Sequence, residues 1–83
     1  MENLLKKGWK IEDDKLTKDF SFNNFKEAVM FFNALAYLSE KYNHHPDTLI
    51  SYRNCKVTLF THSEGKVTHK DIELATKIEE YLT

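Results

Sequence analysis

The 83-residue chain has one cysteine, one proline and two glycines. A single thiol, Cys55, forms no intrachain disulfide and no thiolate zinc module. So little proline and glycine excludes collagen-like and Pro/Gly-rich disordered chains. No run approaches the roughly 18 apolar residues of a membrane span. The opening residues, Met1-Glu2-Asn3-Leu4-Leu5-Lys6-Lys7, hold no long apolar stretch and no small-residue cleavage site, so a cytoplasmic location is expected. An excess of one charge is missing as well. Twelve Lys and Arg face 13 Asp and Glu, for a formal net charge of −1. Non-specific nucleic-acid binding rests on a basic face. Neither a nucleic-acid nor a membrane partner is therefore expected.

What the chain does have is aromatic area: six Phe, four Tyr and one Trp. Surface scaling gives burial of about 64% of the unfolded surface, enough for one small domain over residues 1–83. There is no repeat, linker or low-complexity run. Trp9-Lys10-Ile11 and Leu16 to Phe22 alternate apolar and polar residues around a turn at Glu12-Asp13-Asp14. Lys18 falls on the apolar face of the second segment, which suggests an edge strand. Asn24 followed by Glu27 reads as a helix start. Nothing breaks that helix before about Asn43, and Pro46 is expected to end it.

On the helix, Leu38, Phe31, Tyr42, Leu35, Ala28, Phe32, Phe25, Ala36 and Val29 fall on one arc. The arc is wider than a helix needs to pack on one layer. Met30, Ala34 and Tyr37 add apolar area beyond it, so a homodimer or homotetramer is expected. Thr48 to Tyr52 and Cys55 to Thr61 predict a hairpin around Arg53-Asn54, with Tyr52 facing Cys55. Thr68 with Asp71 predicts a capping box opening a last helix to about Leu82. Ile72, Leu74, Ala75, Ile78 and Leu82 lie on its buried side, and Asp71 unusually shares their arc. The order β-β-α-β-β-α predicts an α+β domain, a four-stranded antiparallel sheet with helices on one face. A short helix before Gly8 is compatible with it.

Four histidines carry the chemical interest: His44, His45, His62 and His69. The first three fall at predicted element ends, where reactive side chains are commonly displayed. An imidazole both gives and takes protons near neutrality. Glu40, one turn before His44, and the inward Asp71 are candidate partners. Taken singly, each has a structural reading: helix-end imidazoles, a surface histidine, a cap. A metal site is a weaker alternative, because adjacent histidines point apart and no His-x-x-x-His exists. Cys55 sits among apolar strand residues and reads as an inert buried thiol. No nucleophile elbow and no phosphate-binding glycine loop is present.

Together, however, Glu40-x-x-x-His44-His45-Pro46, Tyr52, Thr61-His62 and Asp71 resemble the signature of the pterin-4a-carbinolamine dehydratase family. The similarity extends more weakly from Gly8-Trp9 to Ile78-Glu79. The resemblance implies removal of water from a 4a-hydroxytetrahydropterin to give quinonoid dihydropterin, in tetrahydrobiopterin recycling, with no metal or organic cofactor. It implies that His44, His45 and His62 are catalytic and that Glu40 and Asp71 orient them. Pro46, Tyr52 and Thr61 would shape the pocket. It also admits a non-catalytic interaction module, since animal relatives act as dimerisation cofactors of a transcription factor. Three departures stand out: a short N-terminal segment, Thr48 where a Trp is common, and Lys66-Val67-Thr68 where Gly-Leu-Thr is common.

Overall fold

Two tight turns build the sheet. Asp13 and Asp14 take positive φ, 51° and 61°. Two such residues form a primed turn, whose twist matches that of the flanking strands. It joins β1 (Lys10–Glu12) to β2 (Lys15–Ser21) with Glu12 opposite Lys15. The second turn joins β3 (Asp47–Ser51) to β4 (Asn54–Leu59). The computed structural model describes residues 1–83. It adds α1 (Glu2–Lys6), α2 (Phe25–Lys41) and α3 (His69–Leu82), in the order α1-β1-β2-α2-β3-β4-α3. The sheet order is β1-β2-β4-β3, antiparallel throughout. This is the expected α+β class, with the short N-terminal helix present. No helix is long and apolar enough to cross a membrane.

Two local expectations are corrected. First, β2 is an inner strand, flanked by β1 and β4. Lys18 is tolerated on its inward face because its ammonium lies 2.7 Å from the Glu79 carboxylate of α3. The same ammonium stands 4.6 Å from the centre of the Phe20 ring. Glu79 also accepts the Trp9 indole N–H at 2.9 Å. A paired charge with an apolar stem fits where a bare one does not. Second, Ser51 stands opposite Asn54 and Ile50 opposite Cys55, so the turn is Tyr52-Arg53. The register differs from the expected one by two residues, so strand faces are unchanged. Tyr52 leaves the ladder and is 72% exposed. The Arg53 carbonyl accepts the Phe22 N–H at 2.7 Å, and Asn54 pairs with Ser21, which together hold this register.

The core lies between one sheet face and the helices. Leu16, Phe20, Cys55, Val57 and Leu59 meet Phe31, Leu35 and Leu38 of α2 and Leu74, Ala75 and Ile78 of α3. The outer sheet face is polar apart from Leu49, which is exposed there. The helix α2 opens as expected, with the Asn24 side chain accepting the Glu27 N–H at 2.9 Å. Its buried stripe is narrower than the sequence arc, because Phe25 and Ala36 are exposed. Met30 and Tyr37 are exposed too, at 60% and 74%. Cys55 is fully buried, and burial, aided by the nearby Asp19 carboxylate, pushes its thiol up. It stays protonated and unreactive at neutral pH.

Candidate active site

The end of α2 aims the first histidine. Asn43 adopts a left-handed backbone, φ 51°, which Asn tolerates better than most side chains. The His44 N–H then reaches the Ser39 carbonyl at 3.1 Å, and the Asn43 N–H reaches that of Glu40 at 3.3 Å. This pair of bonds is a Schellman closure. Asn43, not Pro46, therefore ends the helix. Pro46 stands at the entry to β3.

The left-handed step turns the His44 side chain toward the start of α3. Its Nε2 lies 2.5 Å from Oδ1 of Asp71, which is fully buried. The other oxygen, Oδ2, accepts the Thr68 N–H at 2.8 Å and the Thr61 hydroxyl at 2.9 Å. The Thr61 and Thr68 hydroxyl oxygens are 2.6 Å apart, and the Thr68 oxygen accepts the Lys70 N–H at 3.3 Å. Each hydroxyl has one hydrogen. Thr61 donates its own to the carboxylate, so Thr68 donates to Thr61. With the carboxylate ionised, Asp71 accepts on both oxygens, and His44 donates through Nε2–H. Neutral His44 then carries its lone pair on Nδ1. Asp71 is both the cap and the inward carboxylate that its sequence position implied.

His45 turns the other way. Its Nε2 lies 2.5 Å from Oε2 of Glu40, with the two side chains 55% and 77% exposed. Glu40 partners His45 rather than His44, because the left-handed residue between helix and histidines redirects His44 inward. His45, Pro46 and Thr48 line a cleft of about 190 Å³ together with Glu40 and the preceding turns of α2. The structure therefore makes two groups, His44-Asp71-Thr61-Thr68 and His45-Glu40-Pro46. They are joined by the peptide between the histidines.

His62 directly follows Thr61 at the end of the sheet. It is exposed, with its ring centre 4.2 Å from that of Phe60, and hydrogen-bonds to neither group. Thr61 itself is fixed by its N–H to the Lys66 carbonyl at 2.9 Å, and Gly65, at φ 67°, turns the loop back. Tyr52 does not join the site within one chain. β3 runs away from Pro46 at about 3.3 Å per residue, which puts Tyr52, six residues on, at the far end of the strand, roughly 20 Å along the chain. His69, the first residue of α3, is exposed. No three His, Cys, Asp or Glu side chains converge as a metal-holding group.

Sequence reasoning missed the Thr68 hydroxyl as a link to Thr61, and it missed the cleft wall. The Thr68-x-x-Asp71 spacing reveals the cap, but no local spacing reveals a partner from the end of β4.

Fold and site together define a small α+β domain that holds carboxylate-paired imidazoles at a helix C-terminus. Comparison with known proteins refines that class. A family model described as pterin 4 alpha carbinolamine dehydratase matches residues 1–81. The chain belongs to that family. A relative from Sulfurisphaera tokodaii is 46% identical over 77 residues, covering 93% of this chain and 83% of its own. One from Aquifex aeolicus is 42% identical over 80 residues, covering 96% and 79%. Both carry the name "Putative pterin-4-alpha-carbinolamine dehydratase". A crystal structure of a transcriptional coactivator/pterin dehydratase from Brucella melitensis is similar with TM-score 0.84 and 37% identity, covering 96% of this chain and 89% of that one. A pterin dehydratase-like RuBisCO assembly factor of the alpha-carboxysome shares the fold, with TM-score 0.69, 22% identity and coverage of 87% and 83%.

Proposed function

We propose that this chain dehydrates 4a-hydroxytetrahydropterins to quinonoid dihydropterins. The reaction expels the C4a hydroxyl as water while N5 loses its proton. It needs a base near N5 and an acid near the hydroxyl. The observation that carries the proposal is the His44–Asp71 pair. A fully buried carboxylate, held by Thr61 and Thr68, fixes the tautomer of one imidazole and leaves Nδ1 as a bare acceptor. In this proposal His44 takes the N5 proton at Nδ1, and the cation that results stands against Asp71. His45, open to solvent on its exposed Glu40 partner, supplies the proton to the leaving hydroxyl. His62 completes the set beside Thr61.

Stopped-flow mixing with chemically generated 4a-hydroxytetrahydropterin tests this directly. Dehydration should be accelerated over the uncatalysed rate. His45→Ala and His62→Ala should each lower the rate by at least about ten- to a hundredfold, up to the low end of what acid–base assistance contributes. Near-wild-type turnover in both folded variants would remove these histidines from the chemistry.

A second role, as an interaction module, draws support from the coactivator name of the Brucella melitensis relative and from the exposed Met30 and Tyr37 on α2. The same face is proposed to mediate a homodimer or homotetramer. Light scattering at micromolar concentration should then give a mass above the 9.8 kDa monomer. Met30→Glu or Tyr37→Glu should lower that mass without changing the far-ultraviolet circular dichroism. A monomer in the unaltered protein excludes self-association through α2 at that concentration.

A further inference from the structure

The cleft beside His45 differs in character from the polar network around Asp71. Thr48 stands opposite Val57 in the β3–β4 ladder. Val57 is fully buried against the helices, so Thr48 shares that inward face. There it meets α2, whose Phe32, Leu35 and Ala36 form the facing wall. His45 and Glu40 stand at the rim. The floor holds few hydrogen-bonding groups: Ser39 lines it with its hydrogen donated to the Leu35 carbonyl at 2.8 Å, and Thr48 brings one further hydroxyl.

A reduced pterin has two unlike ends. Its pyrimidine edge carries several donors and acceptors, and each loses free energy when desolvated without a partner. Its C6 substituent is built on a short carbon chain, with two hydroxyls in tetrahydrobiopterin, and C6 is bonded to N5, the atom that gives up the proton. An apolar cleft with a site imidazole at its rim suits the chain on C6 and not the pyrimidine edge. Resting on the dehydratase proposal above, we propose that this cleft is the subsite for the C6 substituent and that Thr48 sets which substituents enter.

The test compares kcat/KM for 4a-hydroxytetrahydropterins bearing hydrogen, methyl or propyl at C6. Each buried methylene is worth about a fourfold gain, so propyl should exceed hydrogen by about sixtyfold in the unaltered protein. Thr48→Trp and Ala36→Leu fill the cleft from opposite walls, so the loss of one variant to misfolding still leaves the other. In each, the propyl-to-hydrogen ratio should drop below about five, whatever the absolute rates. A ratio near one in the unaltered protein overturns the subsite, as does an unchanged ratio in the folded variants. Turnover of none of the three substrates would instead remove the dehydratase proposal, and the subsite with it.

Discussion

Asp71→Asn should cost far more activity than stability. The Asn carbonyl still accepts the Thr68 N–H and the Thr61 hydroxyl, which Oδ2 of Asp71 holds at 2.8 and 2.9 Å. The helix start is therefore kept, at a loss of about 1 kcal/mol. The amide NH₂ then replaces Oδ1, 2.5 Å from Nε2 of His44. Two donors cannot face each other, so His44 must carry its proton on Nδ1 instead. The lone pair leaves the position from which His44 is proposed to act. Tautomer errors of this kind cost a catalytic imidazole up to about 10⁴-fold. A fall of about 10²- to 10⁴-fold in kcat is expected, with a small shift in Tm. Asp71→Ala should differ in kind. It leaves the Thr61 hydroxyl and Thr68 N–H without the acceptor that a fully buried side chain supplied. The expected loss is about 3–5 kcal/mol, a large share of what an 83-residue domain has. Calorimetry and stopped-flow assays on both variants separate the two effects. Equal losses of Tm with unchanged turnover per folded molecule would make Asp71 a cap and nothing more.

The parts of this arrangement that were legible in the sequence are local. Asn24 and Thr68 announce helix starts because a short polar side chain and an early amide lie within one turn of each other. Asp71 announced itself twice, by its distance from Thr68 and by its place among Ile72, Ala75 and Ile78. The histidines stood out as a set only through the resemblance to the family signature. What was not legible depends on a backbone choice or a long-range partner. Asn43 decides where α2 stops, yet a left-handed residue resembles any other Asn in a sequence. That choice decides which candidate carboxylate each histidine meets, sending His44 to Asp71 and leaving Glu40 for His45. Lys18 reads as an edge residue until Glu79 comes to it from 61 positions away. The Tyr52-Arg53 turn depends on Arg53 meeting Phe22, a contact between two hairpins that neither hairpin encodes.

His44→Ala should be the most damaging of the histidine substitutions for turnover. His44 is the imidazole with the buried partner: its side chain is 13% exposed and that of Asp71 0%, against 55% and 77% for His45 and Glu40. An exposed pair contributes about 0–1 kcal/mol and leaves its members free to reorient. A buried pair fixed by two further donors holds one ring orientation, and preorganisation is what makes an acid–base group effective. Loss of about 10²- to 10⁴-fold in kcat is expected for His44→Ala, against about ten- to a hundredfold for His45→Ala. The fold should survive, at a cost of about 1–3 kcal/mol, because the Oδ2 contacts of Asp71 remain and water can reach Oδ1 through the space vacated. That space has the size and shape of the missing ring. Added imidazole should therefore restore part of the rate in His44→Ala, and much less in Asp71→Asn, where the ring is present but carries its proton on the wrong nitrogen. A folded His44→Ala protein that keeps its rate would move the base to His45 or His62. The His44–Asp71 pair would then be a clamp between the end of α2 and the start of α3.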